Sequence, residues 1–326
     1  MRRMRIVILD SFAADQGHPD AFWAGVRALG ELAVYPRTAA GDLLARAAGA
    51  GALLTNKVAI GAGAIAALPD LRYVGVLATG TNVVDLAAAR AAGVAVTNVA
   101  GYAAESVAEL VFALVLQFTH DVAGHAAAVR AGAWAASPDF SFFTRPLIEL
   151  AGKTLVVVGS GAIGGAVARI GAAFGMHVVN AAVPGSPPRA GAPRTPLAEA
   201  LPRADVVTLH CPLTEATRGL VDARFLASMK PGAILINTAR GGLVDEPALV
   251  AALAAGRLGG VGLDVLSVEP PPADHPLTDG RAPWAARLVV TPHIGWGTVE
   301  ARRRLAAEVT ENLGAFLRGE RRNRVA

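Results

Sequence analysis

The chain has one cysteine, Cys211, among its 326 residues. An internal disulfide needs two cysteines and a Cys-rich metal module needs more, so both are excluded. Proteins without disulfides are typical of reducing compartments. We therefore expect a cytoplasmic protein whose fold depends on its hydrophobic core.

Charged residues are also scarce, at 17%, whereas hydrophobic residues make up 53% of the chain. This composition is the opposite of the one that is typical of disorder. Long apolar runs are lacking as well, because the stretch 107–118 is too short to span a bilayer and contains Glu109. The apolar run 6–9 follows basic residues without a small-residue cleavage site, which predicts a first strand rather than a signal peptide. We expect a globular protein with no membrane partner.

The basic excess is small: Lys and Arg number 30 against 26 Asp and Glu, a net charge of +4. Basic residues cluster only near the two ends of the chain, at 2–5, 302–304 and 321–324. Binding of nucleic acid needs a basic stripe or a recognisable reading motif. We therefore predict no nucleic-acid partner.

Short apolar runs alternate with Ala-rich amphipathic segments along most of the chain, a rhythm typical of parallel α/β sheets. The length is about twice that of a typical domain, which favours two domains. The sequence therefore predicts an α/β protein with two doubly wound parallel sheets. The predicted strands are 6–9, 52–54, 73–76 and 94–97 in a first series, then 155–158, 177–179, 206–209, 233–236, 260–263 and 288–290 in a second.

Helical spacing of apolar residues from 104 to about 131 predicts one long helix or a helix pair, and 298–318 predicts a final helix. The stretch 184–196 is rich in Pro, Gly and Ser, which favours a loop with at most a vestigial strand.

A glycine-rich turn separates the strand 155–158 from a helical stretch that begins near 162. In the order GxGxxG, Gly159 makes the tight turn, Gly161 lets the backbone approach a pyrophosphate, and Gly164 lets helix and strand pack closely. Ala162 and Ile163 then open the helix, whose N-terminal N–H groups favour phosphate. Because a strand precedes the turn and a helix follows it, we predict a dinucleotide site rather than an ordinary βα turn.

The second strand of this series lacks the carboxylate that usually binds the adenosine ribose of NAD. The expected position holds Ala182, and Arg189 or Arg194 in the following loop could pair with a 2′-phosphate. We therefore predict that NADP is tolerated or preferred. The alternative is that Asn180 contacts the ribose and that NAD is used.

Three successive strands of the second series are followed by an Arg, an acid and a His: Arg240, Glu269 and His293. Since ligands bind beyond the carboxyl ends of parallel strands, these side chains should face the edge that carries the glycine turn. Reduction of a 2-oxo acid needs a planar cation to hold the carboxylate and a proton donor active near neutral pH. We assign Arg240 to substrate binding, His293 to acid/base catalysis, and Glu269 to orienting His293 and favouring its protonated form. The other six histidines, including His210 and His275, look like ordinary structural residues.

Four motifs in order resemble the D-isomer-specific 2-hydroxyacid dehydrogenases. They are VGSGAIG at 158–164, NTARGGLVDE at 237–246, GLDV with EP at 262–270, and TPHIG at 291–295. The resemblance implies a nucleotide-binding domain, here 101–296, inserted between two parts of a flavodoxin-like substrate domain, here 1–100 and 297–326. It also implies a cleft between the domains as the active site, and a homodimer built largely on the nucleotide-binding domain.

Carried over residue by residue, the resemblance assigns Arg240, Glu269 and His293 to the family's catalytic Arg, Glu and His. Further positions match the family's cofactor contacts and its carboxylate-binding turn. The cofactor contacts are Thr238, Ala239, Asp264 and Gly295 near the nicotinamide end and Cys211, Pro212 and Thr217 around the adenosine and phosphates, while the turn is Leu77, Ala78, Thr79 and Gly80. Cys211 is then a small apolar wall rather than a nucleophile.

Residues 55–57, 137–142 and 293–296 are similar to glycerate dehydrogenases, that is, to hydroxypyruvate and glyoxylate reductases. Trp296 either caps a small substrate or packs in an interface. We expect NAD(P)H-dependent reduction of a short 2-oxo acid to the D-2-hydroxy acid. The alternatives are a nucleotide-sensing corepressor-like protein and a family member acting on phosphoglycerate, phosphite or formate. Phosphoglycerate dehydrogenases often carry a regulatory C-terminal domain, and we expect none here.

Overall fold

The computed structural model describes residues 3–187 and 194–326. It comprises two compact units, which are described separately. The first contains the chain through Ala103 together with Trp296–Ala326, and the second contains Ala104–Gly295. Each unit is built on one parallel sheet.

The strands are short and mostly buried, as expected for parallel sheets with helices on both faces. The first unit contains β1 (Arg5–Ile8), β2 (Glu31–Val34), β3 (Ala52–Thr55), β4 (Tyr73–Val76) and β5 (Ala95–Thr97). The second contains β6 (Thr154–Val158), β7 (His177–Ala181), β8 (Val206–Leu209), β9 (Ile234–Asn237), β10 (Gly260–Leu263) and β11 (Leu288–Val290).

The α-helices connect these strands along the chain. They are α1 (Phe12–Asp15), α2 (Pro19–Phe22), α3 (Ala24–Leu29), α4 (Leu43–Ala47), α5 (Ala62–Ala66), α6 (Leu86–Ala91), α7 (Ala104–His120), α8 (Val122–Arg130), α9 (Ala162–Ala173), α10 (Leu197–Ala200), α11 (Ala223–Ser228), α12 (Glu246–Ala254) and α13 (Val299–Leu317).

The sheet of the first unit has the order β2-β1-β3-β4-β5, which is the flavodoxin-like arrangement. The four strands predicted here correspond to β1, β3, β4 and β5, but β2 was not predicted. This strand has four residues, begins with an exposed Glu31, and lies beside β1 at the edge of the sheet. An edge strand buries little surface, so its apolar pattern is weak.

The sheet of the second unit has the order β11-β10-β9-β8-β6-β7. All six predicted strands are present, with bounds that shift by at most two residues. Beyond β7, Thr195 forms an isolated parallel bridge with Ala181, which is the remnant of a further strand in the predicted loop. The order of the strands reverses at β6, whose neighbours are β7 on one side and β8 on the other. Ligands of such sheets bind at this switch point.

The predicted helical region after residue 104 is a helix pair. Asp121 separates α7 from α8, adopts a left-handed conformation with φ of 45°, and accepts a hydrogen bond from the N–H of Gly124. Within residues 3–187 and 194–326, no single helix is long and apolar enough to cross a membrane; only the bent pair α7–α8 passes by length and composition.

Candidate active site

The three glycines of the turn between β6 and α9 have different roles. Gly159 has φ of +105°, and a Cβ there would lie 2.6 Å from the carbonyl carbon of His210. A Cβ on Gly164 would lie 1.9 Å from the carbonyl oxygen of Gly159, so helix and turn pack in direct backbone contact. These two glycines are required by the fold itself.

Gly161 differs, because a Cβ there would meet no atom within 4 Å among the described residues. Its φ of −75° is also open to any amino acid. Packing therefore does not explain this glycine, whereas an external group lying against the turn does. The 12-residue helix α9 begins at Ala162, followed by Ile163, and in the part of the chain that the structure describes no side chain caps it. The turn fits the pyrophosphate of a dinucleotide.

The end of β7 presents Ala182, which donates its N–H to the carbonyl of Thr195 at 2.8 Å. Next to Thr195, Arg194 extends its guanidinium to the hydroxyl of Ser160 in the glycine turn, at 3.4 Å. The Nε of Arg194 is buried and has no hydrogen-bond partner among residues 3–187 and 194–326. Arg189, the other predicted cation, lies outside the described residues.

The loop after β8 supplies the other side of the predicted nucleotide site. Burial raises the pKa of the Cys211 thiol to about 11, which keeps it protonated and apolar. Burial of the imidazole lowers the pKa of His210 to about 3, so this ring is neutral near neutral pH. The hydroxyl of Thr217 donates to the carbonyl of Pro212 at 2.7 Å and accepts from the N–H of Thr214, so it shapes the loop.

The turn after β9 is built by the buried amide of Asn237. Its Oδ1 accepts the N–H of Ala239 at 3.0 Å, and its Nδ2 donates to the carbonyl of Arg240 at 2.9 Å. The guanidinium of Arg240 is half-buried and donates to the carbonyl of Ala239. Thr238 is buried, and its hydroxyl has no partner within the described ranges. An unpaired buried hydroxyl is costly, so it marks a position where a ligand completes the site.

Asp264 follows β10 and is 2% exposed. Its Oδ1 accepts from the Thr291 hydroxyl at 2.5 Å and from the N–H of Ile294 at 2.9 Å, while Oδ2 accepts from the N–H of Gly295 at 2.8 Å. These bonds hold both sides of His293, which has φ of +54°. A left-handed conformation at a residue other than glycine persists only when its surroundings impose it. Asp264 therefore fixes the backbone conformation of the segment that carries His293.

Glu269 and His293 form a direct pair. The Nδ1 of His293 lies 2.7 Å from Oε2 of Glu269, and both side chains are partly exposed, at 26% and 31%. The other oxygen of Glu269, Oε1, accepts the N–H of Leu266 at 3.1 Å. Because Glu269 occupies Nδ1, proton exchange with a substrate is left to Nε2 of His293.

The predicted carboxylate-binding turn follows β4 in the first unit. Leu77 is fully buried and donates its N–H to the carbonyl of Thr55, and the Thr79 hydroxyl donates to the carbonyl of Val99. Ala78 and Gly80 are half-buried. Trp296, also half-buried, belongs to this unit, whereas Arg240, Glu269 and His293 belong to the second.

The family model for the NAD binding domain of the D-isomer specific 2-hydroxyacid dehydrogenases matches residues 112–295. The chain belongs to this family. It is therefore an NAD(P)-dependent oxidoreductase of 2-hydroxy acids, and the predicted family, fold class and enzyme class are confirmed.

Relatives of this dehydrogenase match it over most of its length. It is 39% identical over 325 residues to the hydroxypyruvate reductase of Blautia hydrogenotrophica, covering 97% of this chain and 98% of that protein. It is 42% identical over 282 residues to the glycerate dehydrogenase of Methylorubrum extorquens, covering 86% and 87%. The crystal structure of the TT0316 protein from Thermus thermophilus superposes with a TM-score of 0.82 at 38% identity, covering 99% of this chain and 100% of that one.

Two contributors to the geometry of this dehydrogenase were not predicted from the sequence. They are the amide of Asn237, which builds the turn before Arg240, and the carboxylate of Asp264 as a support for the His293 segment, since Asp264 was predicted only as a cofactor contact. Each acts through backbone groups or through a residue far away in the chain. Only their positions directly after strands could have drawn attention to Asn237 and Asp264.

Proposed function

We propose that this dehydrogenase reduces hydroxypyruvate to D-glycerate, or glyoxylate to the achiral glycolate. The observation that carries the proposal is the 2.7 Å contact between His293 and Glu269, on a segment clamped by Asp264 beside the turn of Arg240. The names of the two relatives above support the choice of substrate. The corepressor, phosphoglycerate, phosphite and formate alternatives are not favoured.

The guanidinium of Arg240 presents two N–H groups in a fixed plane, which matches the carboxylate of a 2-oxo acid. It also polarises the neighbouring carbonyl. A nicotinamide cofactor, when bound at the glycine turn, would supply the hydride for C2. Protonated His293 donates a proton from Nε2 to the oxygen on C2, where negative charge develops. Glu269 keeps the ring in this orientation through Nδ1 and stabilises the imidazolium.

The roles of the first unit belong to the same proposal. We assign the first unit to the substrate domain and the second unit to the NAD(P)-binding domain. The bounds expected from the sequence, 1–100 with 297–326 and 101–296, differ from those of the two units by at most three residues. The turn Leu77–Gly80 would hold the substrate carboxylate through the backbone N–H groups that follow Leu77, whose own N–H is bound to Thr55. Trp296 would restrict the size of the substrate.

A spectrophotometric panel at 340 nm tests this function. Glyoxylate, hydroxypyruvate, pyruvate and 2-oxoisocaproate are each supplied with NADH and with NADPH. We expect the highest kcat/KM for hydroxypyruvate or glyoxylate. The His293→Ala variant should lose about 10²- to 10⁴-fold in kcat while it still binds NADH by fluorescence. Binding of cofactor without turnover of any of the four acids by the wild type would contradict the proposal.

NADP use is the second part of the proposal. Ala182 offers no carboxylate to repel a 2′-phosphate, and Arg194 lies at the glycine turn with a buried Nε whose hydrogen is unpaired among the described residues. An arginine binds phosphate through charge-assisted, bidentate hydrogen bonds. We expect a KM for NADPH equal to or lower than that for NADH. A KM for NADPH far above that for NADH would favour the alternative in which Asn180 contacts the ribose.

We also propose that the protein is a cytoplasmic homodimer that associates through the segment 122–148. Half of the exposed large hydrophobic side chains among the described residues lie in this segment: Val122, Val129, Trp134, Phe140, Phe143, Leu147 and Ile148. A concentration of exposed apolar side chains in one segment indicates an interaction surface. Sedimentation should give a dimer for the wild type and a monomer for Phe140→Ser combined with Phe143→Ser, whereas Phe174→Ser should remain dimeric.

A further inference from the structure

Glu269 lies in the loop between β10 and β11. The position of this loop therefore determines whether the carboxylate of Glu269 can bind Nδ1 of His293. Two residues earlier in this loop, Ser267 is bound to a side chain of a different element. Its N–H donates to Oε1 of Glu246 at 2.8 Å, and its hydroxyl donates to Oε2 of the same carboxylate at 2.8 Å. The loop is thus attached to α12 directly beside Glu269.

The same carboxylate also binds the far side of the loop. His275, six residues after Glu269, places its Nε2 3.2 Å from Oε2 of Glu246. Its Nδ1 accepts the N–H of Leu277 at 3.2 Å, so the proton of the neutral ring is on Nε2 and is donated to Glu246. Both side chains are largely buried, with 16% of Glu246 and 9% of His275 exposed.

Glu246 is itself held rigidly. It is the first residue of α12, where Asp245 caps the helix by accepting the N–H of Ala248 at 3.1 Å. A carboxylate at this end of a helix is also favoured by the helix dipole. Glu246 therefore provides a fixed point to which the loop is attached on both sides of Glu269.

The peptide between Leu266 and Ser267 connects this attachment to the site. On one side of it, Ser267 is bound to Glu246. On the other side, a Cβ on Gly241 would lie 1.9 Å from the carbonyl carbon of Leu266 and 2.4 Å from the nitrogen of Ser267. Gly241 directly follows Arg240, and the N–H of Leu266 donates to Oε1 of Glu269. A shift of this peptide would therefore disturb both the turn of Arg240 and the carboxylate of Glu269.

We propose that Glu246 is a positioning residue for the reaction, which holds the 266–269 segment through Ser267 and His275 so that Glu269 meets His293. The inference rests on the proposed roles of Glu269 and His293. It is independent of which 2-oxo acid is the substrate.

Glu246→Gln is the informative variant, because a carboxamide keeps the size of the side chain but has one acceptor oxygen and one NH₂ donor. One orientation of the amide places its NH₂ against the N–H of Ser267, and the other places it against Nε2–H of His275. Two donors face each other in either case, so the 266–267 peptide must move. Because small misplacements of catalytic groups are costly, we expect kcat/KM to fall about 10- to 100-fold.

The pH profile separates positioning from a merely structural role. Reduction needs protonated His293, so kcat/KM falls as the pH rises. If Glu269 is displaced, His293 loses part of the attraction that favours its protonated form, and this limb moves to lower pH. We expect the same direction in Glu246→Gln as in Glu269→Gln, with a smaller shift. In the double variant Glu246→Gln with Glu269→Gln, the fall of kcat/KM with rising pH should occur at the same pH as in Glu269→Gln alone. Both substitutions act through the contact between Glu269 and His293.

Glu246→Asp keeps two acceptor oxygens on a shorter side chain. We expect its kcat/KM to fall at a pH nearer to that of the wild type than in Glu246→Gln. Glu300→Gln, on an exposed carboxylate in the first turn of α13, is the matched control and should leave activity and limb unchanged. The proposal would be overturned if Glu246→Gln lost activity equally at all pH values, with kcat/KM falling at the same pH as in the wild type.

Titration of His293 by NMR gives a readout that does not need a substrate. The His293 signal, assigned with His293→Gln, should lose its proton at lower pH in Glu246→Gln than in the wild type. If the wild type reduces none of the oxo acids but this shift is present, the substrate proposal fails and the positioning role stands. If Glu246→Gln does not fold, Ser267→Ala, which removes one exposed hydroxyl donor, takes its place, and an unmoved titration would then overturn the proposal.

Discussion

Oε2 of Glu269 lies 2.7 Å from Nδ1 of His293, although 24 residues separate them in the chain. The contact is possible because β10 and β11 are neighbours in the sheet and end at the same edge. Asp264 completes the arrangement by binding the N–H groups of Ile294 and Gly295. The imidazole is thus held both through its ring and through the backbone of its segment.

Replacing Glu269 by Gln should shift the pH dependence of reduction. The variant lacks the negative charge that favours the imidazolium, so His293 remains protonated over a narrower pH range. We expect the fall of kcat/KM with rising pH to occur at lower pH in the variant. Profiles of kcat/KM from pH 5 to 9 for both proteins measure the shift, and coincident profiles would show that the pair does not control protonation.

Arg240→Lys should be severely impaired despite keeping the positive charge. An ammonium group cannot form two parallel hydrogen bonds to a carboxylate, and the substrate loses its fixed orientation. We expect kcat/KM to fall by about a hundredfold or more. Arg224→Lys, at an exposed position of α11, is the control and should match the wild type. Near-normal activity of Arg240→Lys would remove Arg240 from the mechanism.

Arg194→Ala should discriminate between the two cofactors. The guanidinium lies 3.4 Å from the hydroxyl of Ser160, and the backbone of the next residue, Thr195, is bonded to Ala182 at the predicted ribose position. The 2′-phosphate on this ribose is the group that distinguishes NADP from NAD. Loss of a charge-assisted hydrogen bond predicts an increase of about tenfold or more in the KM for NADPH, with little change for NADH. Steady-state kinetics with both cofactors test this, with Arg203→Ala as an exposed control. An equal rise for both cofactors would place Arg194 at the shared pyrophosphate.

Cys211 should be unreactive in the folded protein. Burial raises the pKa of its thiol to about 11, so at pH 8 only about one molecule in a thousand carries the reactive thiolate. We expect a disulfide reagent such as DTNB to label the native enzyme far more slowly than the enzyme in denaturant, without early loss of activity. Rapid labelling that inactivates the native enzyme would indicate an accessible thiol at the site.

Much of the fold was predictable because each element carries a local pattern. Buried parallel strands such as β6 and β9 contain continuous apolar runs, and the glycine turn at Gly159 has a recognisable spacing of its own. The edge strand β2 was not predictable, because its pattern is short and half-buried. The choice between one helix and two after residue 104 depended on Asp121, whose left-handed conformation no pattern indicates.

The sequence by itself determined the chemistry that is available at this site: a glycine turn between strand and helix, and an Arg, a Glu and a His that each follow a strand. These are local properties, fixed by residue type and spacing. Only the tertiary structure decided which groups meet. The order of the strands brings Glu269 to His293, and the folding of one loop onto α12 brings Ser267 and His275 to Glu246. Such contacts join residues 21 to 31 positions apart, and their distance depends on the packing of the whole sheet rather than on any segment of the chain.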